Sequence, residues 1–584
     1  MRILFLTHTF NSLTQRLYCE LGERGHAVSI EFDIADSVAE EAVALFRPEL
    51  IVAPYLRRAI PESIWQRHTC LIVHPGIVGD RGPSALDWAI QEQSPEWGVT
   101  VLQAEAEMDA GPIWAEERFP LRVAKKSSLY RNEVTEAATR GVLKAVERFA
   151  AGNFVPTPLD YGNPAVRGRL RPLMTQAERA IDWSRDTTAT VLAKINAADG
   201  FPGVADSLFG QPCHLFDACA ESVLKGAPGE LIARRETAIC RATVDGAVWI
   251  GHAKRGDSSH PFKLPATLAF ADEAVALPEA KLDGWWAPDS TQMRATWQDI
   301  RYEEAGVNGN AVGFLHFDFT NGAMGTGQCR RLLEAYRWAT TRPTKVIVLM
   351  GGRDFWSNGV HLNLIEAAES PADESWANIN AIDDLAEAII TTGSQLTVAA
   401  VQGNCGAGGC FLARAADLVW MRDGALMNPH YKNMGNLYGS EYWTYLLPPR
   451  VGSEGARAIM QNRLPLTAKA GVANGFVDAC LAADIDAFRV DVARRAAELA
   501  AATDLAERLA AKRQRRAADE AAKPLAQYRA EELDHMRRNF YGFDPSYHVA
   551  RFHFVHKSPQ SWTPRHLAKH RDLGWVAPQD EVAA

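Results

Sequence analysis

The sequence predicts an α/β protein of several domains, and three observations carry that prediction. Its 584 residues are several times a typical domain of roughly 100 to 200, so about three or four units are expected instead of one core. Short β-like runs alternate with helical patterns over residues 1–160, as in a parallel sheet flanked by helices. Farther on, two β-rich runs each end in a glycine turn, at Gly351-Gly352 and at Gly403-Asn404-Cys405-Gly406-Ala407-Gly408-Gly409.

In the first unit the strand candidates are residues 3–6, 28–32, 50–53 and 70–74. Ligands of such sheets bind beyond the carboxyl ends of the strands, which singles out 7–16, 54–58 and the segment starting at His74. The run 156–172 is rich in Pro, Gly, Asn and Arg and reads as a linker. A second unit, 173–265, carries Ile181-Asp182-Trp183-Ser184 ahead of a helical stretch, and runs at 212–216, 229–232, 239–244 and 247–250 predict a small β-barrel. Residues 266–305 lack clear periodicity and are expected to form a connecting segment. A third, α/β unit over 306–490 begins with a strand at 312–319, and its strands at 346–350 and 397–401 lead into the glycine turns. An Ala/Arg/Glu/Leu-rich stretch then predicts a helical C-terminal region over 491–584, with 512–516 on a solvated face.

Composition bounds the function. Hydrophobic residues make up 47% and charged residues 23%, with 43 Gly and 30 Pro, which is ordinary for a globular protein and unlike disordered, collagenous or coiled-coil chains. Lys+Arg number 62 against 71 Asp+Glu, and a net charge of -9 does not supply the phosphate-neutralising surface of a nucleic-acid binder. Apolar stretches such as 50–54 and 344–350 fall far short of the ~20 residues of a membrane span. The run 3–6 is followed by His8, Asn11, Ser12 and Gln15 without a small-residue cleavage site, so a cytoplasmic protein is expected. Nine scattered cysteines with no CxxC pair speak against a disulfide framework or a zinc ribbon, and no metal site is expected.

His74 ends an apolar run and precedes Pro75-Gly76, a turn that would present an imidazole suited to acid–base work near neutral pH. The chain continues through Gly79-Asp80-Arg81-Gly82-Pro83-Ser84, Trp97-Gly98-Val99-Thr100-Val101 and Met108-Asp109-Ala110-Gly111. In that order the segments resemble the N10-formyltetrahydrofolate-dependent formyltransferases, and Phe201-Pro202-Gly203 resembles the small barrel that follows in the methionyl-tRNA enzymes. The resemblance implies His74 and Asp109 as the catalytic pair, with Arg81 and Gly82 in the folate-binding loop. The family's Asn, two residues before the His, is here Ile72. Such an oxyanion donor is worth roughly 3 to 4 kcal/mol in acyl transfer, so a thiol is a better acceptor here than an ordinary amine.

In the third unit, Ser357-Asn358-Gly359-Val360 and the turn after Val401 can each aim a backbone N–H at one point, as a thioester oxyanion requires. With Ala399-Ala400-Val401-Gln402-Gly403, Asn428-Pro429 and Pro449-Arg450-Val451-Gly452, they resemble the crotonase (enoyl-CoA hydratase/isomerase) superfamily. That resemblance implies Val360 and Gly408 as the oxyanion hole for a CoA thioester. The two acidic positions of the hydratases hold Phe411 and His430, which disfavours hydration; Tyr431, Tyr438, Glu441 and Tyr442 lie nearby.

The predicted fold class is therefore α/β multidomain: a formyltransferase-type parallel-sheet domain, a small β-barrel, and a crotonase-type α/β domain with a helical C-terminal tail. A chain joining these halves is similar to a family of [NiFe]-hydrogenase maturation proteins. The resemblance implies formyl transfer from N10-formyltetrahydrofolate to coenzyme A, then decarbonylation of formyl-CoA to carbon monoxide for the hydrogenase iron. Glu441 is then the base and Tyr431 the hydrogen-bond donor, while Gln15, Arg16 and Arg131 are expected to hold CoA phosphates in a channel joining the halves. Hydrogenase maturation proteins that receive CO are the expected partners. Two other readings stay open: an amine formyltransferase with a non-catalytic crotonase-like domain, and a folate- and CoA-binding scaffold without turnover.

Overall fold

The structure, a computed structural model, describes residues 1–256, 259–282, 284–286, 295–306, 311–572 and 574–575. Contacts divide the chain into two compact units, one of residues 1–218, 243–245 and 559–584, the other of 219–242 and 246–558.

The first unit is built on a six-stranded sheet in the order β2-β1-β3-β4-β5-β6. Its strands are β1 (Arg2–Thr7), β2 (Ala27–Phe32), β3 (Leu50–Ala53), β4 (Cys70–His74), β5 (Glu96–Gln103) and β6 (Ile113–Pro120). The first four are parallel and coincide with the runs expected from sequence. Ile3, Leu4, Phe5, Ile51 and Val52 are fully buried, the continuous apolar pattern of strands covered on both faces. The last two strands differ from an all-parallel sheet, since β5 runs antiparallel to β4 and β6 to β5. The helix Ala85–Gln91 between β4 and β5 is only ~10 Å long, and the chain re-enters the sheet at the end where it left.

Two parts of this unit were not foreseen. The expected linker is a strap along the loop after β4: Gly168 N donates to Val78 O at 3.1 Å, Arg171 N to Arg81 O at 3.0 Å and Tyr161 Oη to Gly79 O at 2.9 Å. The end of the chain, expected to be helical, instead covers the edge strand β2, with Ile30 N donating to Leu567 O at 3.0 Å and Phe32 N to Thr563 Oγ1 at 2.9 Å. The barrel strand expected at 212–216 is β8 (Gln211–Glu221), which forms an antiparallel hairpin with β7 (Val204–Leu208), a strand not expected from sequence. In the other unit β9 (Leu231–Arg235), β10 (Ala238–Ala242) and β11 (Ala247–Arg255) form a meander, to whose last strand β12 (Leu264–Pro265) adds.

The second unit carries two sheets. The larger runs β13 (Ile300–Ala305), β14 (Ala311–Phe317), β15 (Thr344–Leu349), β17 (Leu396–Val401), β19 (Leu418–Arg422) and β22 (Ala479–Leu481), all parallel except β13. It starts one strand ahead of the expected boundary at 306, because Ile300 to Ala305 pair along β14. The smaller sheet has β16 (Phe355–Ser357), β18 (Asn404–Gly406), β20 (Leu426–Asn428) and β21 (Leu466–Thr467). After β15, β17 and β19 the chain steps each time into a strand of the smaller sheet, so the segments beyond the large sheet's carboxyl ends lie side by side. Phe317, Leu349, Val401, Met421, Ile382 and Leu385 form part of the core beneath them. Helices Ile485–Ala501, Leu505–Ala522, Leu525–Tyr541 and Ser546–Val555 follow. Lys512, expected on a solvated face, is buried: its ammonium donates to Asp417 Oδ2 at 2.5 Å and to Gln395 O at 3.0 Å. No helix among the described residues is long and apolar enough to cross a membrane.

Candidate active sites

In the first unit, the carboxyl end of β4 delivers His74 into a buried position between two carboxylates. Its Nε2 is 3.0 Å from Asp80 Oδ1, and its Nδ1 is 3.6 Å from Asp109 Oδ2. Asp109 takes a left-handed backbone (φ 54), and its Oδ2 accepts the Gly82 amide at 3.2 Å. Arg81 ties down the same segment, donating from Nε to Met108 O at 2.9 Å and pairing with Glu107 at 2.6 Å. Ile72, two residues before His74 on the same strand face, packs against the apolar cluster of Ile51, Cys70 and Ala104, so no polar side chain stands there.

His74, Asp109 and Gly82 are thus brought together, with Arg81 anchoring their loop. Asp80, absent from the sequence-based site, joins them, because an Asp between Gly79 and Arg81 reads from sequence as a turn residue. The other three expected residues lie outside this cluster, Gln15 and Arg16 on the helix Ser12–Glu23 and Arg131 in a later turn. Gln15 donates to Phe10 O at 2.9 Å. Arg16 is buried and pairs with Glu20 at 2.6 Å, while its Nε and Nη1 have no hydrogen-bond partner among the described residues. Arg131 lies in a single π turn, Tyr130–Val134, a distortion that recurs at functional sites.

In the second unit, Val360 follows β16, and Gly408 opens the helix Gly408–Arg414 just after β18, with which β16 pairs in parallel. The two turns touch, since a Cβ on Gly359 would lie 3.3 Å from Gly408 N. Neighbouring amides are committed: Gly359 N donates to Ser357 Oγ at 3.1 Å, His361 N to Asn378 Oδ1 at 3.0 Å and Ala407 N to Asn428 O at 2.9 Å. Among the described residues no protein acceptor takes the Val360 or Gly408 amide. Two adjacent uncommitted donors are the requirement of an oxyanion hole.

Glu441, only 1% exposed, lies so close to Gly408 that a Cβ at that glycine would collide with its Oε1. Tyr431 Oη donates to Glu441 Oε2 at 2.5 Å, and its ring stacks on Phe411 with centroids 5.7 Å apart. Both positions where hydratases carry acids thus hold buried rings, Phe411 and His430. Glu441 and Tyr442 take left-handed backbones (φ 57 and 60), a conformation that costs about 1–3 kcal/mol per bulky residue. Asp383 Oδ1 accepts Glu441 N at 2.8 Å and Glu532 Oε2 accepts Tyr442 N at 3.0 Å, which holds the turn in place. Burial first, then the neighbouring Asp383, pushes the Glu441 carboxyl up to about 8. Burial, followed by Glu441 itself, raises the Tyr431 hydroxyl well above its usual range.

The enoyl-CoA hydratase/isomerase family matches residues 323–563, the formyl transferase family 33–146 and the formyl transferase C-terminal domain 173–260. Fold and family matches together define a formyltransferase-type domain joined to a crotonase-type domain. Over 571 residues the chain is 56% identical to the hydrogenase maturation factor HoxX of Bradyrhizobium diazoefficiens, covering 98% of this chain and 97% of that one. HypX from Aquifex aeolicus, solved in complex with tetrahydrofolic acid, aligns with a TM-score of 0.94 at 47% identity, over 99% of this chain and 100% of its own. The chain belongs to the HypX/HoxX family of hydrogenase maturation factors, as its resemblance implied. A methionyl-tRNA formyltransferase of Roseiflexus castenholzii is 30% identical over 223 residues, 36% of this chain and 68% of that one.

Proposed function

We propose that the protein makes carbon monoxide for [NiFe]-hydrogenase cofactor assembly, in two steps. The first unit moves the formyl group of N10-formyltetrahydrofolate to the thiol of coenzyme A. His74 and Asp109 form the catalytic pair there, and Arg81 and Gly82 frame the folate loop. The tetrahydrofolate complex of the Aquifex aeolicus relative supports a folate donor. Gln15, Arg16 and Arg131 supply hydrogen bonds and charge for the phosphates of CoA.

The second unit decarbonylates formyl-CoA. The Val360 and Gly408 amides hold the formyl oxygen, and Glu441 takes the formyl proton. The C–S bond breaks with its electron pair passing to sulfur, CO leaves, and the thiolate is reprotonated through the Tyr431 hydroxyl. The observation that carries this step is the Glu441 carboxylate packed on Gly408 beside two uncommitted amides, where hydration lacks its pair of acids. A carboxyl held up to about 8 is a competent base near neutral pH.

The test supplies N10-formyltetrahydrofolate and CoA to the purified protein and traps CO with haemoglobin. The expected result is CO formation that needs both substrates and falls about 100-fold or more in Glu441→Gln, with a loss also in Tyr431→Phe. CO release at the wild-type rate in both variants would rule the assignment out. Formylation of an amine without CO would favour the amine-transferase reading instead.

A further inference from the structure

The arrangement around His74 contains a carboxylate that the two-step reading leaves unused. Asp80 is buried, with its side chain 1% exposed, and its Oδ1 faces His74 Nε2 at 3.0 Å. The loop backbone holds it there, because Asp80 N donates to Ile77 O at 2.9 Å. Gly76 leaves the space: a Cβ at that position would lie 2.5 Å from His74 Nε2 and 2.7 Å from Asp80 Oδ1. Arg171, in the strap over the loop, places its Nε 3.9 Å from Asp80 Oδ2, and Arg171 also pairs with Glu92 at 2.6 Å. Asp109 contrasts with Asp80 in one respect: 3.6 Å from Nδ1 is beyond direct hydrogen-bond reach, and its Oδ2 already accepts the Gly82 amide.

A carboxylate accepts only, so the 3.0 Å contact requires the hydrogen on Nε2. A neutral imidazole then carries its lone pair on Nδ1, on the side of Asp109. We propose that Asp80 is a positioning residue that fixes the proton of His74 on Nε2, turns Nδ1 toward the reacting groups, and thereby supplies the charge stabilisation that Ile72 cannot. This rests on the proposed formyl transfer to a thiol.

The step balances. Nδ1 takes the thiol proton as sulfur bonds to the formyl carbon, and the electron pair of the C=O moves to oxygen. His74 is then an imidazolium held against Asp80, and its positive charge offsets the oxyanion in place of a neutral amide donor. The oxyanion collapses, the bond from the formyl carbon to N10 breaks, and N10 takes the proton back from Nδ1. Thioester and tetrahydrofolate leave, and His74 returns to its starting tautomer.

The experiment reads the tautomer and the kinetics separately, on the full chain. With histidine labelled by 15N, and the His74 signals assigned by their loss in His74→Gln, Nε2 is expected to show a pyrrole-like shift and Nδ1 a pyridine-like one. In Asp80→Asn that pattern changes. Formyl-CoA production in the same variant is expected to lose about 100-fold or more in kcat, with KM for the folate donor moving less than threefold and an altered pH profile; Asp80→Glu restores part of the rate. A pyridine-like Nε2 in the wild type, or an unchanged kcat in Asp80→Asn, overturns the proposal. The tautomer needs no turnover: a wild-type protein that forms no formyl-CoA would defeat the transfer reading and, with it, the catalytic half of the proposal, while a wrong tautomer defeats Asp80's role alone.

Discussion

At Gly408 the absence of a side chain is the device that lets Glu441 approach the amide pair. Gly408→Ala puts a methyl where Glu441 Oε1 now lies, and the predicted outcome is loss of CO release from formyl-CoA with the folate-dependent step intact, read by trapping CO and by quantifying formyl-CoA. The same carboxylate sets a pH dependence. Its folded-state value of about 8 lies above the ordinary 4.5, and the nearby Glu532 is likewise raised to about 8, chiefly by burial. Between those limits the folded protein holds protons that the unfolded chain releases, so these groups subtract stability progressively as pH rises from about 4.5 to 8. Activity moves oppositely, because a base must be ionised. The rate of CO release is expected to climb through pH 8, and Glu441→Gln is expected to abolish that climb, measured as kcat against pH. Glu441 and Tyr431 were legible in the sequence because they lie close to the acids that hydratases would carry. Asp80 was not, since nothing in a Gly-Asp-Arg turn announces that the loop folds back onto a histidine six residues earlier.

Strands are the most legible elements here. The runs ending at Leu6, Phe32, Ala53 and His74 are apolar enough to be read as buried strands, and each lies in the sheet. Segments whose role depends on a distant partner were opaque: the strap at 156–172 and the end of the chain have loop compositions, and only folding shows what they cover. The chain end makes a testable element. Ser29 Oγ lies 2.7 Å from His570 Nδ1, and His570 Nε2 lies 3.0 Å from Glu31 Oε2; Glu31 also accepts from Thr563 and Arg571. Burial works to raise Glu31, yet the hydrogen bonds from His570, Thr563 and Arg571 prevail and hold its carboxyl below the usual range. Stability from this cluster is present above about 4.5 and is lost as pH falls through the lower folded value. Glu31→Ala takes the shared acceptor away from buried His570 and Thr563, leaves Arg571 with Glu41 alone, and is expected to cost about 2 kcal/mol. Hydrogen exchange is the sensitive measurement: removal of residues 559–584 should strip protection from the Ile30 and Phe32 amides, whose acceptors lie in that segment. Unchanged protection at both amides would mean that the segment only rests on the sheet.

At the scale of the whole molecule, the length that excluded a single core resolves into two compact units, with the His74 cluster in one and the Glu441 cluster in the other. The fold class was legible because each half keeps its motifs in order. The division into two units was not: it falls within β8 and returns residues from 559 on to the first unit, which no local pattern encodes. Each site also departs from its single-domain relatives, with Ile72 in place of the Asn in one and Phe411 and His430 in place of the acids in the other. On the proposed two-step reaction those losses make sense together, since a thiol acceptor eases the first and a formyl thioester has no alkyl chain to hydrate. If the two reactions share only their intermediate, they must separate by mutation. His74→Ala is expected to form no formyl-CoA from the folate donor yet to release CO from formyl-CoA supplied directly. Glu441→Gln is expected to do the reverse, accumulating formyl-CoA while haemoglobin detects no CO. Mixing the two variants restores CO to the extent that formyl-CoA leaves one molecule and enters another. Failure of His74→Ala to process supplied formyl-CoA would show that the second centre depends on the first for more than its substrate.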